Sequence, residues 1–164
     1  MDQYKTCTKC KKEFPATKEY FHINKLGKEG LKSYCKSCVS EQGRTLNGII
    51  RNFNRHSRHR FPKENYISDI TVDQFIELLV FFECRCAYTG EPLNDTTLSL
   101  DHLQTRTKNG IHHISNVVPC TKEANNKKYN KDFQQWYINS EYFTMERYAK
   151  IMAWQIIAQE RYNY

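Results

Sequence analysis

The residues best suited to chemistry lie between Ser99 and Asn130, in the stretch SLDHLQTRTKNGIHHISNVVPCTKEANNKKYN, which holds three of the six histidines and five asparagines. Hydrolysis of a phosphodiester needs an activated water, neutralised phosphate charge and a stabilised leaving oxygen. A neutral histidine can take the proton from water. A Mg²⁺ ion can meet the other two needs with few oxygen ligands from the protein. Asp101 and the amide oxygen of Asn125 would suit such an ion.

The elements predicted around these residues would bring them together. The segment TTLSL before Asp101 predicts a strand, and the polar loop that closes at Asn109 ends it. The segment NVVPC predicts a second strand, and TKEANNKKYN predicts a helix with Thr121 as its N-cap. This order of strand, loop, strand and helix places Asp101 and His102 at one edge, with Asn125 about one turn into the helix.

In this order and spacing the stretch resembles the HNH, or ββα-metal, endonucleases. Their motif is an Asp-His or His-His pair, then an Asn, then an Asn or His on the helix. Here it falls on Asp101-His102, Asn116 and Asn125, with gaps of 14 and 9 residues as in the HNH domain of the RNA-guided CRISPR nucleases. The resemblance covers roughly residues 84–140. The trailing NKKYNKDFQQWY and the N-terminal pair of C-x-x-C knuckles also resemble phage, mobile-element or restriction members of the family. The resemblance implies that His102 is the general base, that Asp101 and Asn125 hold a catalytic Mg²⁺ or Mn²⁺ ion, and that Asn116 braces the loop and so orients His102.

Two neighbouring histidines leave an alternative open. His112 and His113 come shortly before Asn116, so either could compete with His102 as the base or serve as a ligand. Their position just before the second strand would also suit a phosphate contact or no chemical role.

The seven cysteines indicate metal binding rather than disulfides, because the chain shows no signal peptide and is expected to be intracellular, in the cytoplasm or at the nucleoid. Two C-x-x-C pairs predict one structural Zn²⁺ site in a small module, with a redox C-x-x-C as the alternative. The predicted zinc ligands are Cys7, Cys10, Cys35 and Cys38. The other three lack a C-x-x-C partner and are interpreted as buried thiols, with a second zinc site left open: Cys84, Cys86 and Cys120.

Positive charge is concentrated in the first part of the chain. Residues 1–63 carry a net charge of +10, whereas residues 64–164 carry −3. Such asymmetry favours a polyanionic partner. We predict a basic helix that ends at Pro62 and follows the DNA backbone. The alternative is a solvated helix that only links two units. The residues predicted to contact DNA are Arg44, Arg51, Arg55, Arg58, Arg60, Arg106, Lys108, Lys127 and Lys128.

We therefore predict a small α+β protein with three parts: a zinc module over residues 1–40, a basic helix or linker over 41–66, and an HNH core with C-terminal helices over 67–164. The C-terminal helix would cover the core or form a homodimer interface. Duplex DNA is the expected partner, and no membrane segment is expected. Restriction, homing, packaging and defence all remain open as biological roles. The alternatives are a non-catalytic, zinc-dependent nucleic-acid-binding protein with a degenerate HNH core, and an RNA-directed nuclease or the subunit of a larger system.

Overall fold

The computed structural model describes residues 3–60 and 63–162, and Pro62 lies outside them. The chain divides into two compact units, Met1–Gly48 and Ile49–Tyr164. The described strands are β1 (Tyr4–Thr6), β2 (Glu13–Pro15), β3 (Phe21–Ile23), β4 (Leu31–Cys35), β5 (Leu98–His102) and β6 (Val117–Thr121). The described α-helices are α1 (Lys36–Arg44), α2 (Leu46–Arg60), α3 (Val72–Phe81), α4 (Lys122–Lys128), α5 (Phe133–Ile138) and α6 (Met145–Arg161).

The first unit consists of two small antiparallel hairpins and a helix. Strand β1 pairs with β2, and β3 pairs with β4. Helix α1 begins directly after β4, with Cys35 as its N-cap residue. The buried apolar core of this unit is small and consists of Phe21 and Leu31 together with cysteines.

The second unit is built around a β-hairpin and the helix that follows it. Strands β5 and β6 are antiparallel, with Asp101 opposite Val118 and His102 opposite Val117. Helix α4 follows β6 at once because the Thr121 side chain accepts a hydrogen bond from the backbone of Ala124 and so caps the first turn. The predicted α+β class and the predicted strand, loop, strand, helix order are both confirmed.

Buried residues from helices α2, α3, α5 and α6 complete the core of the second unit. Helix α3 begins with a capping box formed by Thr71 and Gln74. Helix α6 packs next to the start of β6, where the Trp154 indole donates to the carbonyls of Ile114 and Val117. The C-terminal helix therefore covers the core. Within the described ranges, no helix is long and apolar enough to cross a membrane.

The basic segment forms two helices rather than one. Helix α1 ends where Thr45 takes an extended conformation, with φ −67° and ψ 153°, and α2 begins at the next residue. In α2 the buried positions Ile50, Asn54 and Ser57 recur at helical spacing on one face. Its arginines, which lie on the other faces, are exposed.

Candidate functional site

An open cleft of about 410 Å³ lies between the end of β5 and the C-terminal half of α4. Its walls include Asp101, His102 and Asn125, three of the four residues of the predicted motif. Asp101 and His102 are neighbours at the end of a strand, and both line this cleft because β5 stops at His102. The structure therefore brings the three polar side chains to one opening.

Asp101 is buried and bears two strong contacts on one oxygen. Its Oδ2 lies 2.9 Å from Nζ of Lys128, and the Tyr88 hydroxyl donates to the same oxygen over 2.7 Å. Burial raises the pKa of Asp101, whereas the charge of Lys128 and the hydrogen bond from Tyr88 lower it. The Lys128 side chain is itself fully buried and also donates to the backbone carbonyl of His102 over 2.8 Å. Lys128 thus connects the two residues of the Asp-His pair.

His102 lies in an aromatic environment. The ring of Phe53 stacks on it at a centroid distance of 4.7 Å and an interplanar angle of 19°. Its Nε2 lies 2.9 Å from Nδ1 of His112. Burial lowers the pKa of His102 well below its usual value, and the charges of Arg106, Lys128 and, when it is protonated, His112 lower it further. The ring is therefore neutral near pH 7, as a general base must be.

Asn116 braces the loop between the strands with its whole amide group. Its Oδ1 accepts from the backbone N–H of Gln104 at 2.9 Å, and its Nδ2 donates to the carbonyls of Gln104 and Ile111 at 2.9 and 2.8 Å. The loop closes tightly at Gly110, where a Cβ atom would lie 1.9 Å from the carbonyl oxygen of Gln104. The turn predicted at Asn109 is present, with that residue in the left-handed conformation at φ 61°.

The orientation of the Asn125 amide follows from its contacts. Its Nδ2 donates to Oγ of Ser99 at 3.1 Å and to the carbonyl oxygen of Leu100 at 3.4 Å. A carbonyl oxygen can only accept, so the nitrogen of the amide is the atom that faces β5. This leaves Oδ1 of Asn125 as the atom suited to bind a cation.

Comparison with known proteins adds to this geometry. No family model matches the chain. Over an alignment 202 positions long, the chain is 27% identical to a protein of Bacillus subtilis (strain 168) named "SPbeta prophage-derived putative HNH endonuclease YoqL". The alignment covers 92% of this chain and 87% of that protein. The chain resembles the HNH endonucleases. The predicted resemblance to the HNH endonucleases is therefore confirmed, and the alignment extends over nearly the whole chain.

One solved structure is also similar to the chain. The type II-C Cas9 enzyme from Actinomyces naeslundii matches with a TM-score of 0.39 and 18% sequence identity. The match covers 73% of this chain and 17% of the Cas9 chain.

The basic residues around the HNH motif differ in exposure. Lys108, Lys127 and all five arginines predicted on the basic segment are exposed. Arg60 also lines the cleft beside Asp101 and His102. Lys127 has acidic neighbours, with Glu141 at 2.8 Å and Glu123 at 3.2 Å, and Arg58 pairs with Asp69.

Two residues predicted to contact DNA are buried. The Lys128 side chain is fully buried, and its ammonium group contacts Asp101 and the carbonyl of His102. Arg106 is only 5% exposed, and its Nη1 donates to the carbonyls of Asn65 and Gly110. Its guanidinium group therefore holds the loop. Neither role follows from charge, although Lys128 lies three residues after Asn125 and hence on the same face of α4.

The four predicted zinc ligands form one cluster in the first unit. The Sγ atoms of Cys7, Cys10, Cys35 and Cys38 lie within 4.8 Å of one another. Four sulfurs at this spacing fit a tetrahedral Zn²⁺ ion with bonds of about 2.3 Å. The backbone N–H of Cys35 donates to Sγ of Cys7 at 3.3 Å, which favours a thiolate there. The cluster therefore suits zinc.

The remaining cysteines and His113 have structural contacts. Sγ of the buried Cys86 accepts from the backbone N–H groups of Thr89 and Thr121 at 3.4 and 3.3 Å. Cys120 is buried and Cys84 is exposed. His113 caps a 3-10 turn by accepting from the backbone of Ser115. None of these contacts involves the cleft.

Proposed function

We propose that the chain is a metal-dependent endonuclease that hydrolyses phosphodiester bonds of duplex DNA. The observation that supports this best is the shared cleft, in which a neutral histidine, a carboxylate and an amide oxygen converge. The HNH name of the Bacillus subtilis relative supports the same reaction class.

In this proposal His102 takes the proton from the attacking water. A base for this step must be neutral near pH 7 and must be held at a fixed angle. Burial lowers the pKa of His102 and so keeps the ring neutral, while the Phe53 ring stacks on it and restrains its plane. Asn116 acts indirectly, because its hydrogen bonds fix the loop next to His102.

Asp101 and Asn125 are proposed to hold one divalent ion. Their side chains offer a carboxylate and an amide oxygen, and this oxygen set favours a hard cation such as Mg²⁺ or Mn²⁺. Both contacts of Asp101 described above fall on Oδ2, and the Asn125 amide presents Oδ1 away from β5. Such an ion would neutralise the phosphate and stabilise the leaving oxygen.

The DNA would be held mainly by basic groups of the second unit. Arg60 lines the cleft and is placed to meet a phosphate next to the scissile bond. The exposed Arg51, Arg55 and Lys108 would contact the backbone further away, each releasing condensed counterions. Arg44 and the lysine-rich zinc unit would add non-specific affinity.

The direct test is a plasmid nicking assay on the full chain with bound zinc, comparing His102→Ala with wild type. We expect the single-turnover cleavage rate to fall roughly 10²- to 10⁴-fold, the contribution of a general base, while DNA affinity in a gel-shift assay is unchanged. His22→Ala is the matched control, since His22 is an exposed histidine on β3 of the other unit. Cleavage by His102→Ala at the wild-type rate would show that the assignment is wrong.

The products also report on the partners. One HNH site cuts one strand, so a monomer should give nicked circles and a homodimer should give linear plasmid. Sedimentation with and without DNA would show which form acts. The same assay run on single-stranded DNA and on RNA would test whether duplex DNA is the substrate.

A second function is favoured by one observation, the ion pair between Lys128 and Asp101. If Lys128 permanently takes the place of the ion, the chain is a non-catalytic, zinc-dependent protein that binds nucleic acid. Titration of the zinc-loaded protein with Mn²⁺, followed by electron paramagnetic resonance, separates the two functions. Binding that is lost in Asp101→Asn supports the nuclease, and no binding to the wild type supports the second function.

A further inference from the structure

We propose that Asn54 and His112 are positioning residues that fix the tautomer of His102, so that Nδ1 of His102 is the nitrogen that accepts a proton. This inference rests on the proposed role of His102 as the base. It also assigns a role to one of the two histidines that the motif leaves without one.

Ile70 offers Asn54 a backbone N–H and a carbonyl, whose donor and acceptor roles are fixed. The side-chain Nδ2 of Asn54 donates to the carbonyl oxygen of Ile70 at 2.8 Å, and its Oδ1 accepts from the N–H of Ile70 at 3.1 Å. This pair of bonds cannot be made with the amide reversed. The atom of Asn54 that faces His112 is therefore an acceptor oxygen.

The contact with Asn54 fixes which nitrogen of His112 carries the proton. Its Nε2 lies 2.9 Å from Oδ1 of Asn54, so Nε2 must carry the hydrogen and donate it. In a neutral imidazole the other nitrogen then has the lone pair. His112 is fully buried, and its ring is neutral near pH 7 because burial lowers its pKa to about 4. Nδ1 of His112 is thus an acceptor.

The contact with His112 in turn fixes which nitrogen of His102 carries the proton. Nδ1 of His112 lies 2.9 Å from Nε2 of His102, so Nε2 of His102 must be the donor. Nδ1 of His102 is left with the lone pair. The backbone of Ile70 thereby determines, through two side chains, which nitrogen of the base can accept a proton.

Stacked rings hold this chain of hydrogen bonds in place. Phe53 stacks on His102 and lies 5.4 Å from the ring of His112, while Tyr66 stacks on His112 at 4.8 Å and 17°. The backbone N–H of His112 also donates to the carbonyl of Asn65 at 2.7 Å. Both imidazoles are therefore restrained in plane as well as by hydrogen bonds, as expected for groups that orient a catalytic residue.

The tautomer can be observed without any cleavage. In the zinc-loaded wild-type protein at pH 7.5, without added Mg²⁺ or Mn²⁺, two-bond ¹H–¹⁵N spectra of labelled histidines distinguish Nδ1–H from Nε2–H rings. We expect His102 and His112 both to be Nε2–H tautomers, with His102 assigned from its missing signals in His102→Ala. A wild-type spectrum that shows His102 as the Nδ1–H tautomer would overturn the inference.

Two variants of similar shape test the role of the acceptor. His112→Asn can place an amide oxygen where Nδ1 was, whereas His112→Leu has no acceptor. We expect kcat to fall roughly 10- to 100-fold in His112→Leu with KM unchanged, the usual scale for groups that orient a catalytic residue, and to recover most of the way in His112→Asn. His113→Asn is the control, because its ring contacts Ser115 rather than His102.

The outcomes separate this inference from the proposed function. If His102→Ala still cuts, the proposed function fails, whatever tautomer is observed. If His102→Ala is inactive but folded His112→Leu cuts like the wild type, only the inference fails. Equal losses in His112→Leu and His112→Asn, with circular dichroism showing both folded, would also contradict it.

Discussion

The two units are stabilised in different ways. In the first unit the described apolar core consists of Cys7, Phe21, Leu31, Cys35 and Cys38, so most of its buried side chains are the predicted zinc ligands. The second unit has a continuous core of aliphatic and aromatic residues from its strands and helices. A core as small as the first cannot offset the entropy of ordering the chain, whereas the second can. The first unit should therefore depend on its metal for folding, and the second should need a metal only for chemistry.

Loss of zinc should give the largest effect. Cys35→Ser removes a ligand, and we expect unfolding of the first unit, because structural zinc supplies about 10 kcal/mol or more in such modules. The second unit should stay folded. Amide ¹H–¹⁵N spectra would show collapse of the signals of residues 3–48, with those of residues 49–162 retained. Cys84→Ser is the control, since that thiol is exposed and outside the cluster. A first unit that stays folded without zinc would remove the contrast between the units.

The same contrast affects any test with a chelator. EDTA would remove zinc from the first unit as well as Mg²⁺ from the cleft, so a loss of cleavage would have two causes. Omitting Mg²⁺ while checking zinc content isolates the cleft. Activity restored by Mg²⁺ alone then reports on Asp101 and Asn125 rather than on the cysteine cluster.

Within the second unit, two neighbouring lysines test how much the buried ion pair between Lys128 and Asp101 stabilises the fold. Lys128 is fully buried against Asp101, whereas Lys127 pairs with glutamates on the surface. Lys128→Met leaves a buried carboxylate without its counter-charge and should lower the free energy of unfolding by about 3–5 kcal/mol. Lys127→Met should cost less than about 1 kcal/mol. Chemical denaturation of both variants measures the difference.

Added Mg²⁺ should reduce that difference. If the ion binds Asp101, it supplies positive charge where Lys128→Met lacks it, so Mg²⁺ should raise the Tm of this variant more than that of the wild type. An equal shift in both proteins would indicate that the ion and Lys128 do not share Asp101.

The sequence predicted the features that depend on nearby residues. The N-caps of α3 and α4, the two strands of the hairpin and the turn at Asn109 all follow from patterns a few residues long. The cysteine pairs belong to the same group, because C-x-x-C spacing already limits where the sulfurs can lie.

The residues that surround the motif could not be predicted from short patterns. His112 meets Asn54, which lies 58 positions earlier in the chain, and no local pattern joins them. Lys128 and Arg106 were predicted to contact DNA because both are basic, but charge does not reveal whether a side chain is buried. The basic segment was predicted as one helix, yet it breaks at Thr45, where the chain becomes extended.

The smallest expected effect concerns pH and tests whether His112 is a buried neutral group. Burial, together with the charges of Arg106 and Arg58 and against the opposing charge of Asp69, lowers its pKa to about 4. Below pH 6.5 the unfolded chain binds a proton at His112 that the native state does not bind until about pH 4. The contribution of His112 to the free energy of unfolding is therefore fully present above pH 6.5 and falls by about 3 kcal/mol as the pH drops toward 4.

The contribution of His112 is obtained by difference, because burial also lowers the pKa of His102 and His113. Urea unfolding of the wild type and His112→Asn between pH 4 and 7.5 should give curves that converge as the pH falls, since the variant has no proton to bind at that position. Parallel curves would mean that His112 is as easily protonated in the native state as in the unfolded chain. In that case Nδ1 of His112 could not serve as a dependable acceptor for His102, and the orientation of the proposed base would need another source.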